Sequence, residues 1–120
     1  MVTLVLGASE NPERYSYKAV ERLQKEGYKV IAIGRKSGQI RGTTIQTEFP
    51  LNLEIHTLSL YLSPKNQGEW EDAILSLKPQ RVLFNPGTEN PAFAQRLRRA
   101  KIQALEVCTL VLLATNQYES

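Results

Sequence analysis

Small and polar residues at 7–14, Gly-Ala-Ser-Glu-Asn-Pro-Glu-Arg, follow an apolar run and precede a helix-period pattern. Gly7, Ala8 and Ser9 let a ligand approach the backbone closely. A helix that starts beyond them offers unpaired N–H groups and a positive dipole end to an anion. Ser9 and Asn11 add side-chain donors and Arg14 adds charge. Two readings of this turn stand at this point: a phosphate cradle, or a plain strand-to-helix turn with Ser9 or Asn11 capping the helix. It is not G-x-G-x-x-G, because the second and third glycines are missing.

A second polar turn, Gly34-Arg35-Lys36-Ser37-Gly38, follows the second apolar run. A site for a free ribose usually has an acidic residue there to hold the hydroxyls. Arg35 and Lys36 instead favour a phosphate on the ribose, a group that coenzyme A and NADP both carry. The plain alternative is a solvated basic turn.

Residues suited to bond-making chemistry are sparse. His56 is the only histidine and Cys108 the only cysteine. His56 opens a strand at the end away from the expected cleft, so a structural role is expected for it. Cys108 follows the last expected strand, where a buried thiol is inert unless its surroundings activate it. Glu89 stands alone. No metal site and no catalytic set emerges, so the sequence favours binding over catalysis.

The elements that must position these loops can be read from periodicity. Residues 2–6 have no polar face, which suits a strand buried from both sides in a parallel sheet. Ser16, Ala19, Val20, Leu23 and Gly27 share one helical face, with Gly27 as a stop, and residues 28–33 form the next strand. Residues 43–47 suggest a short edge strand, and Pro50 interrupts regular structure. Residues 56–62 form a strand, after which Ser63 and Pro64 signal a helix start. That helix should be firm from Glu69, with Trp70, Ala73, Ile74 and Leu77 inward, until Pro79. Residues 81–84 give another strand. Asn90 and Pro91 open a helix with Phe93, Leu97 and Ala100 buried and Arg96, Arg98, Arg99 and Lys101 toward water. Residues 103–107 give the last strand, and the tail from Cys108 reads as a short helix capped by Thr109. The alternation implies one α/β domain over 1–120: a doubly wound, mostly parallel sheet of about five strands with helices on both faces.

Composition bounds the partners. The chain has 120 residues and a formal net charge of +3, with its basic residues dispersed. A nucleic-acid binder concentrates such charge, so a small-molecule partner is expected and no nucleic acid. One cysteine excludes an internal disulfide and fits a reducing, cytoplasmic setting. No run approaches the ~20 apolar residues of a spanning helix, so no membrane partner is expected. Sheet edges of this kind often pair, which is compatible with a homodimer.

The two polar turns carry a family resemblance. Gly7-Ala8-Ser9-Glu10-Asn11-Pro12-Glu13-Arg14-Tyr15-Ser16-Tyr17 resembles the G-A-S-x-N-P-x-R-x-S-Y opening of small single-domain CoA-binding proteins. That family is related to the Rossmann-like CoA-binding domain of the succinyl-CoA synthetase alpha subunit. Ile33 through Gly42 is similar to the family's V-N-P-K-x-G-x-I-x-G, with Gly34-Arg35 in place of Asn-Pro. Tyr61-Leu62-Ser63-Pro64 is similar to its segment ending in Pro, whereas Asn85-Pro86-Gly87 replaces a Gln-rich loop. The resemblance implies coenzyme A or an acyl-CoA bound by a non-catalytic binding or sensing module. Gly7, Ala8, Ser9, Asn11 and Arg14 would surround the diphosphate, and Arg35 and Lys36 would meet the ribose phosphate. Leu62 and Pro64 would flank the adenine. Asn85, Pro86 and Gly87 would line the pantetheine. The ligase's phosphorylated histidine lies in a separate domain that has no counterpart here. Alternatives are a small NADP-binding oxidoreductase and an interaction domain with a vestigial pocket.

Overall fold

Alternation of side chains along a strand sends neighbours to opposite faces, so an all-apolar strand needs a core on each side. Val2–Leu6 (β1), apolar but for Thr3, is such a strand: Leu4 and Leu6 enter one core and Val5 the other, while the buried Thr3 hydroxyl lies 2.6 Å from that of Tyr118. The computed structural model describes residues 1–50 and 52–119. After β1 come Tyr15–Lys25 (α1), Lys29–Ile33 (β2), Gly38–Ile40 (β3), Thr43–Gln46 (β4) and Thr57–Leu60 (β5). Gly68–Leu77 (α2), Arg81–Phe84 (β6), Pro91–Arg99 (α3), Gln103–Glu106 (β7) and Thr109–Ala114 (α4) complete the order.

The sheet runs β3-β4-β2-β1-β5-β6-β7. All neighbours are parallel except β3 and β4. On one face Val20 and Leu23 of α1 pack with Leu113 of α4 and Tyr118 over Val5, Ala32 and Leu83. On the other, Ile74 of α2 and Phe93, Ala94 and Leu97 of α3 cover Leu4, Leu58, Val82 and Phe84. The doubly wound α/β architecture is as expected, with seven strands rather than about five. The short strand expected at 43–47 is β4, and the unforeseen element is β3, which pairs with it in a hairpin turned by Arg41 (φ 44°) and Gly42 (φ 88°). Two central residues with positive φ match the twist of a two-residue hairpin. β3 takes the edge, and residues 43–46 lie one strand inside it.

Smaller expectations fail at element ends. Ser63 and Pro64 start a separate 3-10 turn over Pro64–Asn66 and not the α-helix itself, although α2, from Gly68, does hold the helix expected from Glu69. Ala73 and Ala100 are exposed; Ala100 caps the end of α3 instead of extending its buried stripe. Asn90 does cap α3, accepting from Phe93 N–H at 3.2 Å. Thr109 does not cap α4: Cys108 holds that position, and the Thr109 hydroxyl pairs with Ser59 at 2.8 Å.

Candidate functional site

The chain leaves β1 toward β2, β3 and β4, then crosses back to place β5 on the other side of β1. Loops after β1 and β5 therefore diverge, and ligands of open α/β sheets bind in the crevice this creates. The crevice here is a cleft of about 720 Å³ at the carboxyl ends of the strands. That size lies within the roughly 300–1,000 Å³ usual for ligand pockets.

The first loop forms the floor. Gly7 and Ala8 both donate their N–H to Ile33 O at 2.9 Å, pinning the loop to the end of β2. Ser9 Oγ accepts from Asn11 N–H at 3.1 Å, and Asn11 Oδ1 accepts from Glu13 N–H at 3.0 Å. These side chains thus close the turn itself and do not cap α1. The cap position belongs to Arg14, whose side chain makes no capping bond, and no acidic residue sits in the first turn. The start of α1 therefore opens into the cleft with Arg14, Tyr15 and Ser16. An uncapped helix start attracts anions through its free N–H groups and dipole.

The second loop faces it. Arg35 and Lys36 are exposed and line the same cleft, so three cations meet there. Glu10 is the one carboxylate among the described lining residues, and its Oε2 accepts from Gln39 N–H at 2.9 Å. Gly34 allows the two loops to touch: a β-carbon there would run into the Ala8 carbonyl oxygen.

Leu62 lines the cleft beside Ser63 and Asn66, whereas Pro64 lies outside it, exposed in the 3-10 turn. Pro86 and Gly87 line the far end, and Gly87 N–H donates to Glu89 Oε1 at 2.9 Å. Asn85 does not reach the cleft. It is 1% exposed, and its amide donates to Ser59 Oγ at 3.0 Å and Leu60 O at 2.9 Å. The other expected residues (Gly7, Ala8, Ser9, Asn11, Arg14, Arg35 and Lys36) all line the cleft.

Two features escaped the sequence reading. A niche of about 210 Å³ adjoins the cleft, sharing Gly7, Arg35 and Leu62 with it and adding Leu6, Thr47, Glu69 and Trp70. Trp70, expected as core, packs on Phe49 at 5.1 Å between ring centroids and also walls this niche. Its position just after a turn-rich stretch is the only sequence sign of such a role. Tyr61 also lines the cleft, and burial pushes its phenol up to about 12 against the opposing pull of the nearby Thr109 and Ser59 hydroxyls. It is a neutral donor at ordinary pH.

Other chemistry-bearing residues lie elsewhere. His56 precedes β5 at the opposite end of the sheet, with Nδ1 2.8 Å from Thr57 Oγ1. Burial, and then the nearby Arg81 guanidinium, lowers its pKa from the ordinary value. Cys108 is half-buried and does not line the cleft. Arg96 pairs with Glu71 at 2.6 Å and Asp72 at 3.0 Å, and Arg98 donates to Ala104 O at 2.9 Å. Arg96 and Arg98, expected only to face water, therefore tie α3 to its neighbours. Among the described residues, no helix is long and apolar enough to cross a membrane.

A doubly wound domain whose switch-point cleft joins an uncapped helix start to three cations belongs to the class that grips nucleotide phosphates. Residues 2–114 match the model of a family described as a CoA binding domain, and the chain belongs to that family. It is similar to a crystal structure of an uncharacterized protein, with 44% identity and a TM-score of 0.91, covering 97% of this chain and 96% of that one. A protein from Thermus thermophilus is 21% identical with a TM-score of 0.86, covering 97% of this chain and 89% of that one. A hypothetical protein from Pyrococcus horikoshii OT3 is 22% identical with a TM-score of 0.82, covering 91% and 78% respectively. At those identities the last two speak for the fold alone. No curated protein matches the chain.

Proposed function

We propose that the cleft binds coenzyme A, or an acyl-CoA, and that the protein is a binding or sensing module without catalysis of its own. The observation that carries this reading is the uncapped start of α1 opening between Arg14 on one side and Arg35 and Lys36 on the other. A diphosphate satisfies the first group and a ribose phosphate the second. The residues present fit the cofactor in size as well as charge. The floor of small residues at Gly7 and Ala8 admits a pyrophosphate close to the backbone. The niche beside Leu62 and Trp70 takes the adenine, a flat apolar group suited to an aromatic wall. Pro86 and Gly87 face the pantetheine. Coenzyme A brings a thiol on a flexible arm, and this chain's residues bind and orient the nucleotide end of it.

NADP carries a similar ribose phosphate, so it is the competitor that the test must include. Thermal unfolding is measured with coenzyme A, acetyl-CoA, NADP, NAD and ATP in parallel. Coenzyme A at 100 times its dissociation constant is expected to stabilise the fold by about 2.7 kcal/mol. NADP stabilising more than coenzyme A would replace this reading with a dinucleotide one. No shift with any of them would remove it.

A further inference from the structure

The two cations at 35 and 36 sit on the four-residue connection between β2 and β3, and contacts from the first loop meet that connection at its start and at the first residue of β3. At its start, Gly34 N–H donates to Gln46 O at 2.8 Å, and the residue lies against the Ala8 carbonyl, where no β-carbon fits. Just beyond its end, Gly38 lies against the side chain of Glu10. A β-carbon on Gly38 would overlap Cδ and Cγ of that glutamate. The next residue, Gln39, donates its backbone N–H to Glu10 Oε2 at 2.9 Å. Gln39 stands on the outermost strand, where such an amide otherwise faces only solvent.

We propose that Glu10 is a positioning residue for the site: a clasp that reaches across the cleft and holds the Arg35-Lys36-Ser37 turn in place to receive a ribose phosphate. This rests on the coenzyme A reading and adds to it a residue that the family pattern leaves open. A carboxylate is the wrong charge for an anion site, and its presence among three cations needs a reason. Its bond to Gln39 and its packing on Gly38 supply one. The negative charge opposes the ligand's phosphates. The acceptor oxygen fixes the loop that carries their partners. Those two effects reside in different properties of one side chain, so they can be separated.

Glu10→Gln removes the charge and keeps an acceptor oxygen of nearly the same reach. Glu10→Ala removes both. The readout is the ratio of affinities for coenzyme A and dephospho-CoA, which differ only in the ribose phosphate, measured by calorimetry on the full chain. Any purely electrostatic change is shared by the two variants. The clasp requires Glu10→Ala to show a lower ratio than Glu10→Gln, by roughly twofold to tenfold, the span expected for one hydrogen bond. Gly38→Ala gives an independent approach, since the added methyl displaces the glutamate. It should lower the ratio in the native background and change little in the Glu10→Ala background. Equal ratios in Glu10→Ala and Glu10→Gln would overturn the proposal, as would a full Gly38→Ala effect in the absence of the glutamate. Amide exchange at Gln39 keeps the two readings apart. Faster exchange in Glu10→Ala but not in Glu10→Gln supports the clasp as a contact. If the native chain then binds no coenzyme A, the functional reading fails and the positioning role fails with it, while the contact survives.

Discussion

Asn85 Oδ1 accepts a hydrogen bond from the backbone N–H of Thr109 at 2.8 Å, joining the end of β6 to the first residue of α4. The same side chain donates to Ser59 Oγ and Leu60 O, and Ser59 Oγ is in turn 2.8 Å from Thr109 Oγ1. This buried network seats the last helix on the sheet beneath the cleft. Burial leaves each of these groups without water if the amide is removed, and an unsatisfied buried group costs about 1–3 kcal/mol. Asn85→Ala is therefore expected to destabilise the fold by roughly 2–4 kcal/mol in urea denaturation. At ligand saturation the folded variant should retain the coenzyme A to dephospho-CoA ratio of the native chain. A stable variant with an altered ratio would mean that Asn85 meets the ligand after all.

The misplacement of Asn85 shows where sequence reading stops. A polar residue between a strand and Pro86 looks like a loop residue facing the cleft. Whether it points up or down depends on a partner 24 positions later in the chain, and no local pattern carries that. Local patterns did carry β1, α1 and β2, because short, mainly apolar β-branched runs and a buried helical stripe leave few alternatives. They missed β3, whose three residues become a strand only by pairing with β4. They placed Trp70 against the core from its helical phase, and it does pack there, but they carried no sign that the same half-buried residue also walls a niche. The basic loop and the small-residue loop were legible because their chemistry is local. Glu10 was not, since its meaning lies in Gly38 and Gln39 across the cleft.

Alkaline pH should act on stability through Tyr61. Burial raises its phenol from 10.0 to about 12, so the folded chain keeps a proton that the unfolded chain releases. Between those two pH values the unfolded state binds fewer protons, and stability falls as pH rises. A gap of about two units corresponds to about 2–3 kcal/mol, fully present below pH 10 and lost through pH 12. Tyr118 and Tyr28, also raised mainly by burial, act in the same direction. Urea titrations across this range should show the decline, and Tyr61→Phe should flatten it. An unchanged slope in Tyr61→Phe would assign the effect to the other two tyrosines.

Arg35 and Lys36 give the sharpest test of ligand orientation. Both are exposed at the cleft, and among the described residues no carboxylate forms an ion pair with Lys36 or Arg14. A charge-assisted hydrogen bond contributes about 1.5–3 kcal/mol, less where solvent screens it. Replacing both residues by alanine should weaken coenzyme A by roughly tenfold to a hundredfold, while dephospho-CoA loses only a fewfold through longer-range charge. Arg14→Ala should weaken the two ligands alike, because the diphosphate that it faces is common to both. Raising ionic strength from 0.05 to about 0.5 M should shrink the native preference for coenzyme A, since exposed charge pairs are screened over a Debye length of about 10 Å at 0.1 M. Equal losses for both ligands in the double variant would place the ribose phosphate elsewhere. The diphosphate would then have to lie between the two loops, with Arg35 and Lys36 as its second clamp.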